Sequence, residues 1–237
     1  MATYPLTAMV LRKTKLGETD LILTLLGEDG ALHKAVAKGA RKPGSKFGGR
    51  AEPGTIFTAL IAQGKSLDII TDAKTVAANR SLREDYDATL TLSVILDFAA
   101  TVSQEALADQ RFYALTVATL EALDRTLASD EDTFSSMRLK VILIAYLLKG
   151  AAMQGYRPDF DDFFTEERSH DEHAACSEDI QRQFTYLAYL LGVTYQELDT
   201  VDIKTFPSLD GLLHLTRVFL QENIPARLKA LDFYTGK

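Results

Sequence analysis

The chain has 237 residues, of which 46% are hydrophobic and 25% are charged, and its formal net charge is -7. This is the composition of a globular protein, and it argues against long disordered segments. The longest uninterrupted apolar run, residues 141–148, is far shorter than the roughly 18 to 20 residues that a membrane-spanning helix needs. The N-terminus has no signal-peptide pattern, and the single cysteine, Cys176, excludes internal disulfides and any multi-cysteine metal cluster. We therefore expect a cytoplasmic protein with one large domain or two small ones.

Charge is distributed unevenly along the chain. Residues 1–83 contain 13 Lys and Arg against 7 Asp and Glu, a net charge of +6, whereas residues 84–237 contain 13 against 26, a net charge of -13. A step of this size favours two domains. We place the boundary at 80/81, with an N-terminal domain over residues 1–80 and a C-terminal domain over residues 81–237.

The first 80 residues have the pattern of short strands separated by turns. Strands are predicted over residues 8–13, 20–26, 31–38, 55–62 and 66–71, with a long loop after the third. Five strands in this arrangement predict a small five-stranded β-barrel of the OB type. An SH3-like barrel is the competing all-β fold, because counting strands does not distinguish the two.

From residue 82 onward the hydrophobic period becomes helical. Two stripes cover residues 90–102 and 112–127, and a polar break at 129–133 opens a third helix that contains the apolar run 141–148. Further helices are predicted over 177–191 and 208–222, with a last short one ending near Tyr234. Residues 156–176 are acidic and irregular, and we expect an insertion there. The predicted fold class is α+β, an OB-type barrel followed by a bundle of about five helices.

The strongest functional signal is a basic segment, residues 30–51, which has no acidic residue and includes five glycines and one proline. Its six basic residues are Lys34, Lys38, Arg41, Lys42, Lys46 and Arg50. A positive segment on an acidic protein is typical of a nucleic-acid-binding surface. Only three aromatic residues, Tyr4, Phe47 and Phe57, lie in the first 83 residues. We therefore expect binding through phosphates, which is independent of sequence and sensitive to salt, rather than through base stacking.

Residues 39–46 read G-x-x-x-x-G-S-K, close to the phosphate-binding P-loop G-x-x-x-x-G-K-[ST] but with the lysine and the hydroxyl residue in the wrong order. The following Phe47, Gly48 and Gly49 are poor residues for opening a helix, which a P-loop requires. We therefore expect no catalytic residues and no nucleotide hydrolysis. A phosphate-binding enzyme built on this segment remains an alternative.

A second chemical cluster lies in the acidic segment. His170, His173 and Cys176 have side chains that zinc accepts, but their spacing matches no common zinc signature and no fourth ligand is evident. We interpret the segment as a solvated acidic region and expect no metal and no cofactor. A remnant metal site is the alternative.

Several motifs resemble one bacterial family, the RecO recombination mediators. Gly17-Glu18-Thr19-Asp20 is followed by an apolar strand, then by Ala37-Lys38-Gly39-Ala40-Arg41-Lys42, Ser45-Lys46-Phe47-Gly48 and Glu52-Pro53. The order and spacing of these motifs over about 40 residues are specific. Beyond them the resemblance is one of layout, in the segments around Arg111-Phe112-Tyr113 and Gly155-Tyr156-Arg157-Pro158.

This resemblance implies an N-terminal OB-fold, a helical C-terminal domain and no catalytic turnover. It also implies binding of single- and double-stranded DNA, annealing of complementary strands, and action with RecR to load RecA onto strands coated by single-stranded-DNA-binding protein. The chain departs from many members of the family after residue 158, where they carry four cysteines and this chain has an acidic run and Cys176 alone. A metal-free module is the interpretation that we prefer.

The resemblance also implies contact with the acidic tail of single-stranded-DNA-binding protein. A tail approaching a domain of net charge -13 needs a local basic group beside apolar side chains. Arg125, Arg138 and Lys140 are the candidates, because they are the densest basic group near the most apolar helix. Ordinary surface charges are the alternative interpretation. A protein-interaction adaptor, whose basic segment binds an acidic partner, is a further alternative for the whole chain.

Overall fold

The structure is a computed structural model, and it describes residues 2–45, 47–105, 108–129, 132–158 and 174–236, without the side chains of residues 132–133 and 174–177. The chain forms two compact units, Met1–Val117 and Ala118–Lys237. Among the described residues, no helix combines the length and hydropathy that crossing a membrane would require.

The first unit is built on a closed barrel of five strands. They are β1 (Thr3–Leu16), β2 (Asp20–Gly27), β3 (Leu32–Ala37), β4 (Ile56–Ala62) and β5 (Asp68–Ala77). The strands are paired in the order β1, β2, β3, β5, β4, and β4 pairs again with β1. β3 and β5 run parallel, and every other neighbouring pair is antiparallel. This order confirms the OB-type barrel, since strand connection decides between the two predicted folds.

The barrel interior is filled by side chains that alternate along the strands. On β2, for example, Leu21, Leu23 and Leu25 all belong to the buried core cluster, as expected for a period of two residues. Small residues such as Ala8, Ala35 and Ala59 occupy facing positions in the same cluster. In a small barrel, side chains of this kind fill the interior.

Helices complete the first unit. α1 (Ser81–Glu84), α2 (Tyr86–Val102) and the first part of α3 (Gln110–Ala128) belong to it. α2 packs against β1 and β2, and the ring centroids of Phe98 and Phe112 lie 6.4 Å apart. Asp85 caps α2 by accepting a hydrogen bond from the backbone N–H of Ala88. The boundary predicted at 80/81 coincides with the end of the strands and stays a prediction, whereas packing divides the chain between Val117 and Ala118.

The second unit is helical. After the end of α3 it contains α4 (Asp132–Met153), α5 (Ala174–Gly192), α6 (Tyr195–Thr200), α7 (Leu209–Asn223) and α8 (Lys229–Tyr234). The apolar run 141–148 lies in α4 and is buried throughout, which confirms its predicted place in the core. α4 packs against α5 and α7. Most of the predicted insertion at 156–176 lies outside the described residues.

Candidate nucleic-acid interface

The connection between β3 and β4, residues 38–55, carries most of the basic residues and is called the basic loop. It is tied to the barrel by apolar residues at three places, because Ala40 and Ala51 belong to the barrel core and Phe47 packs against it. Lys38, Arg41 and Lys42, in contrast, are exposed. Alternation between buried anchors and exposed cations holds the loop on the barrel while its charged side chains face water.

Backbone hydrogen bonds join the start of the basic loop to the turn between β1 and β2. The N–H of Gly39 donates to Oδ1 of Asp20 at 2.7 Å, and the N–H of Arg41 donates to the carbonyl of Thr19 at 2.9 Å. The guanidinium of Arg41 also donates to the carbonyl of Gly17, at 3.1 Å. In OB-folds the turn between the first two strands borders the ligand-binding face. The basic loop is therefore attached to that border.

The carboxylate of Asp20 is central to this attachment. Its pKa is held below the ordinary aspartate value, first by the hydrogen bond from the Gly39 N–H, then by the Thr19 hydroxyl, and also by the nearby charges of Lys38 and Lys42. Asp20 is therefore ionised at neutral pH, and it neutralises part of the loop charge at the place where the chain turns. The negative charge of Asp20 offsets part of the repulsion between Lys38 and Lys42.

The far end of the basic loop is also fixed. The N–H of Gly54 donates to the carbonyl of Val10 at 2.8 Å, and the Asn79 side chain donates to the carbonyl of Gly54 at 2.8 Å. Arg83 donates to the carbonyls of Pro53 and Ala78, at 3.1 and 2.6 Å. Arg83 therefore has a structural part in the unit despite its charge. Both ends of the basic loop are thus held by hydrogen bonds to side chains and backbone of the same unit.

The predicted DNA-binding residues differ in their surroundings. The side chains of Lys38 and Lys42 are exposed and form no hydrogen bond or ion pair among the residues that the structure describes. Lys34, on β3, forms an exposed ion pair with Glu105 at 3.0 Å. Arg50 is half-buried and in contact with its surroundings, and Lys46 lies outside the described residues. Lys38 and Lys42 are thus the cations most available to a polyanion.

The aromatic residues of the barrel are used for packing. Phe57 is 1% exposed, Phe47 packs against the core, and the hydroxyl of Tyr4 donates to Asp68 at 2.6 Å. Burial, followed by this hydrogen bond, raises the pKa of Tyr4 to about 12. None of these three rings is an open platform for bases. Their packing agrees with the phosphate-directed binding that the sequence predicts.

The near P-loop does not lead into an α-helix within the described part of the basic loop. Gly39 and Gly44 have φ angles of 65° and 70°, as expected for glycines in turns, whereas Gly48 has a φ of -38°. The only helical element that follows is a three-residue 3-10 helix, Gly49–Ala51. An α-helix N-terminus, which cradles phosphates in a P-loop, is thus missing from the described residues of this segment.

The possible metal ligands cannot be placed. His170 and His173 lie outside the described residues, and the side chain of Cys176 is not described. Among the described residues, no group of three or more His, Cys, Asp and Glu side chains could hold a metal ion. The absence of a metal stays a prediction.

Sequence reasoning missed two contributions to the site. Lys15, near the end of β1 and opposite Leu21 on β2, is an exposed cation next to the turn that binds the basic loop. Thr19 and Asp20 were noted only as part of a family motif, but they bind the loop backbone. The three cations in the four residues from Arg12 to Lys15 were the sequence signal that could have identified the first.

The three predicted partner-binding residues all lie in the second unit and all have contacts there. The pairs are Arg125 with Asp199 at 3.1 Å, Arg138 with the carbonyl of Leu198 at 2.5 Å, and Lys140 with Asp210 at 2.6 Å. Arg125 and Arg138 thus contact consecutive residues of α6, whereas Lys140 pairs with a residue of α7, and their part in binding a partner stays a prediction. An acidic peptide would have to replace these contacts.

We predict that replacing Asp20 loosens the basic loop. In Asp20→Ala the N–H of Gly39 loses its acceptor, so its protection from hydrogen exchange should fall while the barrel amides keep theirs. The pKa of Asp20 is lowered on folding, so its contribution is present above the unfolded value of about 4 and is lost as the pH falls through the lower folded value. NMR of the Gly39 amide between pH 6 and pH 2 measures this step.

Asp20→Asn is the control, because it keeps an acceptor but does not titrate. In this variant, the protection of the Gly39 amide from hydrogen exchange should show no step with pH that the other amides lack. If the Gly39 amide is protected from hydrogen exchange in Asp20→Ala as well as in the wild type, the Asp20 carboxylate does not hold the basic loop.

The fold and the site together define an OB-type barrel that carries a basic loop. Comparison with known proteins narrows this class. Residues 1–79 match the family model described as "Recombination protein O N terminal", so the match spans all five strands and the basic loop. The first 79 residues of the chain thus belong to the RecO N-terminal family, and the predicted resemblance is confirmed.

Individual relatives extend the match. The chain is 37% identical over 163 residues to a DNA repair protein RecO of Bifidobacterium adolescentis, covering 67% of this chain and 61% of the relative. It is 35% identical over 162 residues to one of Bifidobacterium longum, covering 67% and 63%, and 36% identical over 156 residues to one of a Nocardioides species, covering 65% and 60%. The chain thus spans about three fifths of the length of these curated relatives.

Proposed function

We propose that this protein is a DNA repair and recombination mediator that binds DNA phosphates through the basic loop of its barrel. The observation that carries the proposal is the exposed, acid-free set of cations between Lys38 and Lys42, on a loop that is fixed to the β1–β2 turn. The similarity to DNA repair proteins named RecO supports the same conclusion.

The binding that we propose is independent of sequence. The candidate residues are Lys34, Lys38, Arg41, Lys42, Lys46 and Arg50, with Lys15 as an addition from the structure. Cations that meet phosphates provide affinity and register but read no bases. The protein therefore binds both single- and double-stranded DNA, and salt weakens the binding steeply.

The wider activity that we propose is annealing of complementary strands and, with RecR, loading of RecA onto strands coated by single-stranded-DNA-binding protein. We propose no catalytic turnover, no cofactor and action in the cytoplasm. The support is the family resemblance, together with a barrel interior that is packed with side chains. Phosphate binding on a fixed surface suits annealing, since it reduces repulsion between two strands without occupying their bases.

Annealing of complementary oligonucleotides tests the proposal. We expect the protein to accelerate annealing of a fluorophore- and quencher-labelled pair at low salt, and the acceleration to disappear near 0.5 M salt as phosphate contacts are screened. A variant with Lys38 and Lys42 replaced by Ala should be slower. The matched control replaces Lys74 and Arg80, which are exposed cations of the same unit outside the basic loop. No acceleration by the wild type would favour the adaptor alternative.

Contact with the acidic tail of single-stranded-DNA-binding protein through Arg125, Arg138 and Lys140 remains our proposal for the partner surface. Replacing Arg138 and Lys140 by Glu should weaken binding of a fluorescent acidic tail peptide at least several-fold, through like-charge repulsion. Arg182→Glu is the control, because Arg182, although more exposed than the half-buried Arg138, likewise donates to a carbonyl, that of Thr205. Unchanged affinity in a folded double variant would move the tail site elsewhere.

A further inference from the structure

A groove of about 480 Å³ lies in the second unit, between the C-terminal end of α5 and α6. Its lining is largely apolar and contains one acidic residue but, within the described part of the chain, no basic one. The lining residues are Ala188, Tyr189, Gly192, Val193, Glu197, Thr200 and Val201. Most of them are exposed, so the groove opens to solvent. None is among the residues proposed to contact DNA or an acidic tail.

The carboxylate of Glu197 is held in place at the start of α6. Its Oε2 accepts hydrogen bonds from the backbone N–H and from the hydroxyl of Thr194, both at 2.8 Å, in a capping box. These hydrogen bonds, the backbone one first, lower the pKa of Glu197, so its carboxylate is charged at neutral pH. Both bonds end on the same oxygen, which leaves Oε1 for a further donor. The groove thus presents a fixed negative charge.

The end of α5 adds to the negative potential. This helix ends at Gly192, in the lining, and the C-terminal end of a helix carries a partial negative charge. Lys149 offsets part of that charge, because its ammonium donates to the carbonyls of Leu191 and Val193, at 2.9 and 2.6 Å. Lys149 is half-buried and outside the lining, so a ligand in the groove contacts Glu197 instead. A cation complements this lining, and the net charge of -13 on residues 84–237 attracts it from a distance.

Apolar surface surrounds the carboxylate. Val193 is 6% exposed and Val201 is half-buried, whereas Tyr189 is 41% exposed. A guanidinium group stacks on a tyrosine ring while it donates to a carboxylate, and aliphatic side chains gain free energy by covering valines. A small inorganic cation gains nothing from this apolar surface. The lining therefore fits a guanidinium that arrives together with aliphatic side chains.

We propose that this groove binds a segment of a partner protein in which an arginine is flanked by aliphatic residues. The arginine donates to Glu197 and lies over Tyr189, and its aliphatic neighbours contact Val193 and Val201. A peptide segment is favoured over a small cation, because the groove opens to solvent and offers contacts to several adjacent side chains at once. The site is independent of the proposed DNA interface, so either can fail without the other.

Titration of the full chain with the blocked peptide acetyl-Ala-Leu-Arg-Leu-Ala-amide, followed by NMR of the backbone amides, tests this inference. We expect saturable binding with the largest shifts at Gly192, Val193 and Val201. Two further peptides separate the contributions. Citrulline in place of arginine removes the charge and keeps the shape, and alanine in place of both leucines removes the apolar contacts. At constant ionic strength, each should bind at least about threefold more weakly.

Two variants assign the contacts in the groove. Glu197→Gln keeps an oxygen that accepts from Thr194, so the capping box is retained while the charge is lost. Tyr189→Ala removes the exposed ring. Each should weaken binding of the arginine peptide about three- to fivefold, as expected for an exposed ion pair or cation–π contact. The matched controls are Glu178→Gln, near the start of α5, and Phe233→Ala, on α8; both residues are exposed and outside the lining, and both variants should bind as the wild type does.

The inference is overturned if the arginine peptide does not saturate, or if the citrulline peptide binds as tightly. It is also overturned if Glu197→Gln binds the arginine peptide as tightly as Glu178→Gln does. Equally tight binding of n-butylguanidinium would assign the groove to a small cation and contradict the proposal. Shifts of the same amides when the protein is concentrated without peptide would contradict it too, because the occupant would then be a second copy of the chain.

Discussion

Removing the charge of the basic loop should abolish most DNA binding and most of its salt dependence. For single-stranded DNA, log K changes with log salt by about -0.7 for each phosphate contact, so replacing Lys38, Arg41, Lys42, Lys46 and Arg50 by Ala should reduce the slope by about 3.5. Over a fourfold change in salt, that difference corresponds to roughly a hundredfold change in affinity. Fluorescence anisotropy of a labelled oligonucleotide across a salt series measures both quantities.

A smaller variant separates loop charge from loop structure. The side chains of Lys38 and Lys42 are exposed and form no hydrogen bond or ion pair among the described residues, so replacing both by Ala should leave the fold intact and flatten the slope by about 1.4. The control variant, with Ala at Lys74 and Arg80, removes the same charge from the same unit. Equal slopes in the two double variants would mean that net charge, rather than the basic loop, determines binding. Full affinity of the fivefold variant at low salt would contradict the proposed interface.

A side chain at Gly30 should strongly destabilise the first unit. Gly30 lies in the turn between β2 and β3 with a φ of 84°, and a Cβ there would lie 2.1 Å from the carbonyl carbon of Asp109. The atoms that it would meet belong to backbone, at the position where Asp109 binds Arg111 and precedes α3. A backbone clash is not relieved by rotating a side chain.

We expect Gly30→Val to lower the free energy of unfolding by about 2 to 5 kcal/mol, combining strain at positive φ with displacement of the neighbouring chain. This is a large share of the roughly 5 to 15 kcal/mol typical of natural proteins. Denaturant unfolding of the full chain measures it. Gly17→Ala is the control, because Gly17 also has a positive φ, of 56°, but nothing lies within 4 Å of its Cβ position. A similar loss at both positions would show that contact with Asp109 contributes nothing.

The sequence predicted the parts of this protein that depend on local patterns. Apolar alternation located all five strands, although β1 and β5 proved longer than predicted, as Thr3–Leu16 and Asp68–Ala77. The apolar run 141–148 was predicted to be buried, and it is. The cations of the basic segment and the family motifs could also be recognised in the sequence, because residue type and spacing are properties of the chain itself. Predicting these features does not require knowing which elements of the fold contact one another.

Strand pairing and contacts between residues distant in the chain could not be predicted from the sequence. Whether the five strands form an OB-type or an SH3-like barrel depends on the parallel pairing of β3 with β5, which joins Ala35 to Asp68 across 33 positions. Asp20 accepts the hydrogen bond from the Gly39 N–H only because β2 and the basic loop lie next to each other in the fold. The sequence grouped Arg125, Arg138 and Lys140 by charge, but the residues that each of them contacts, Asp199, Leu198 and Asp210, are known only from the fold.

Composition and periodicity by themselves thus determined an N-terminal β-barrel, a helical remainder and a concentration of positive charge in one loop. Tertiary structure alone decided which of those cations remain available and where the loop is fixed. The physical reason is that burial, hydrogen bonding and ion pairing depend on neighbours in space. Residues distant in sequence supply most of those neighbours, and hydrophobic periodicity specifies which face is buried without specifying what it meets.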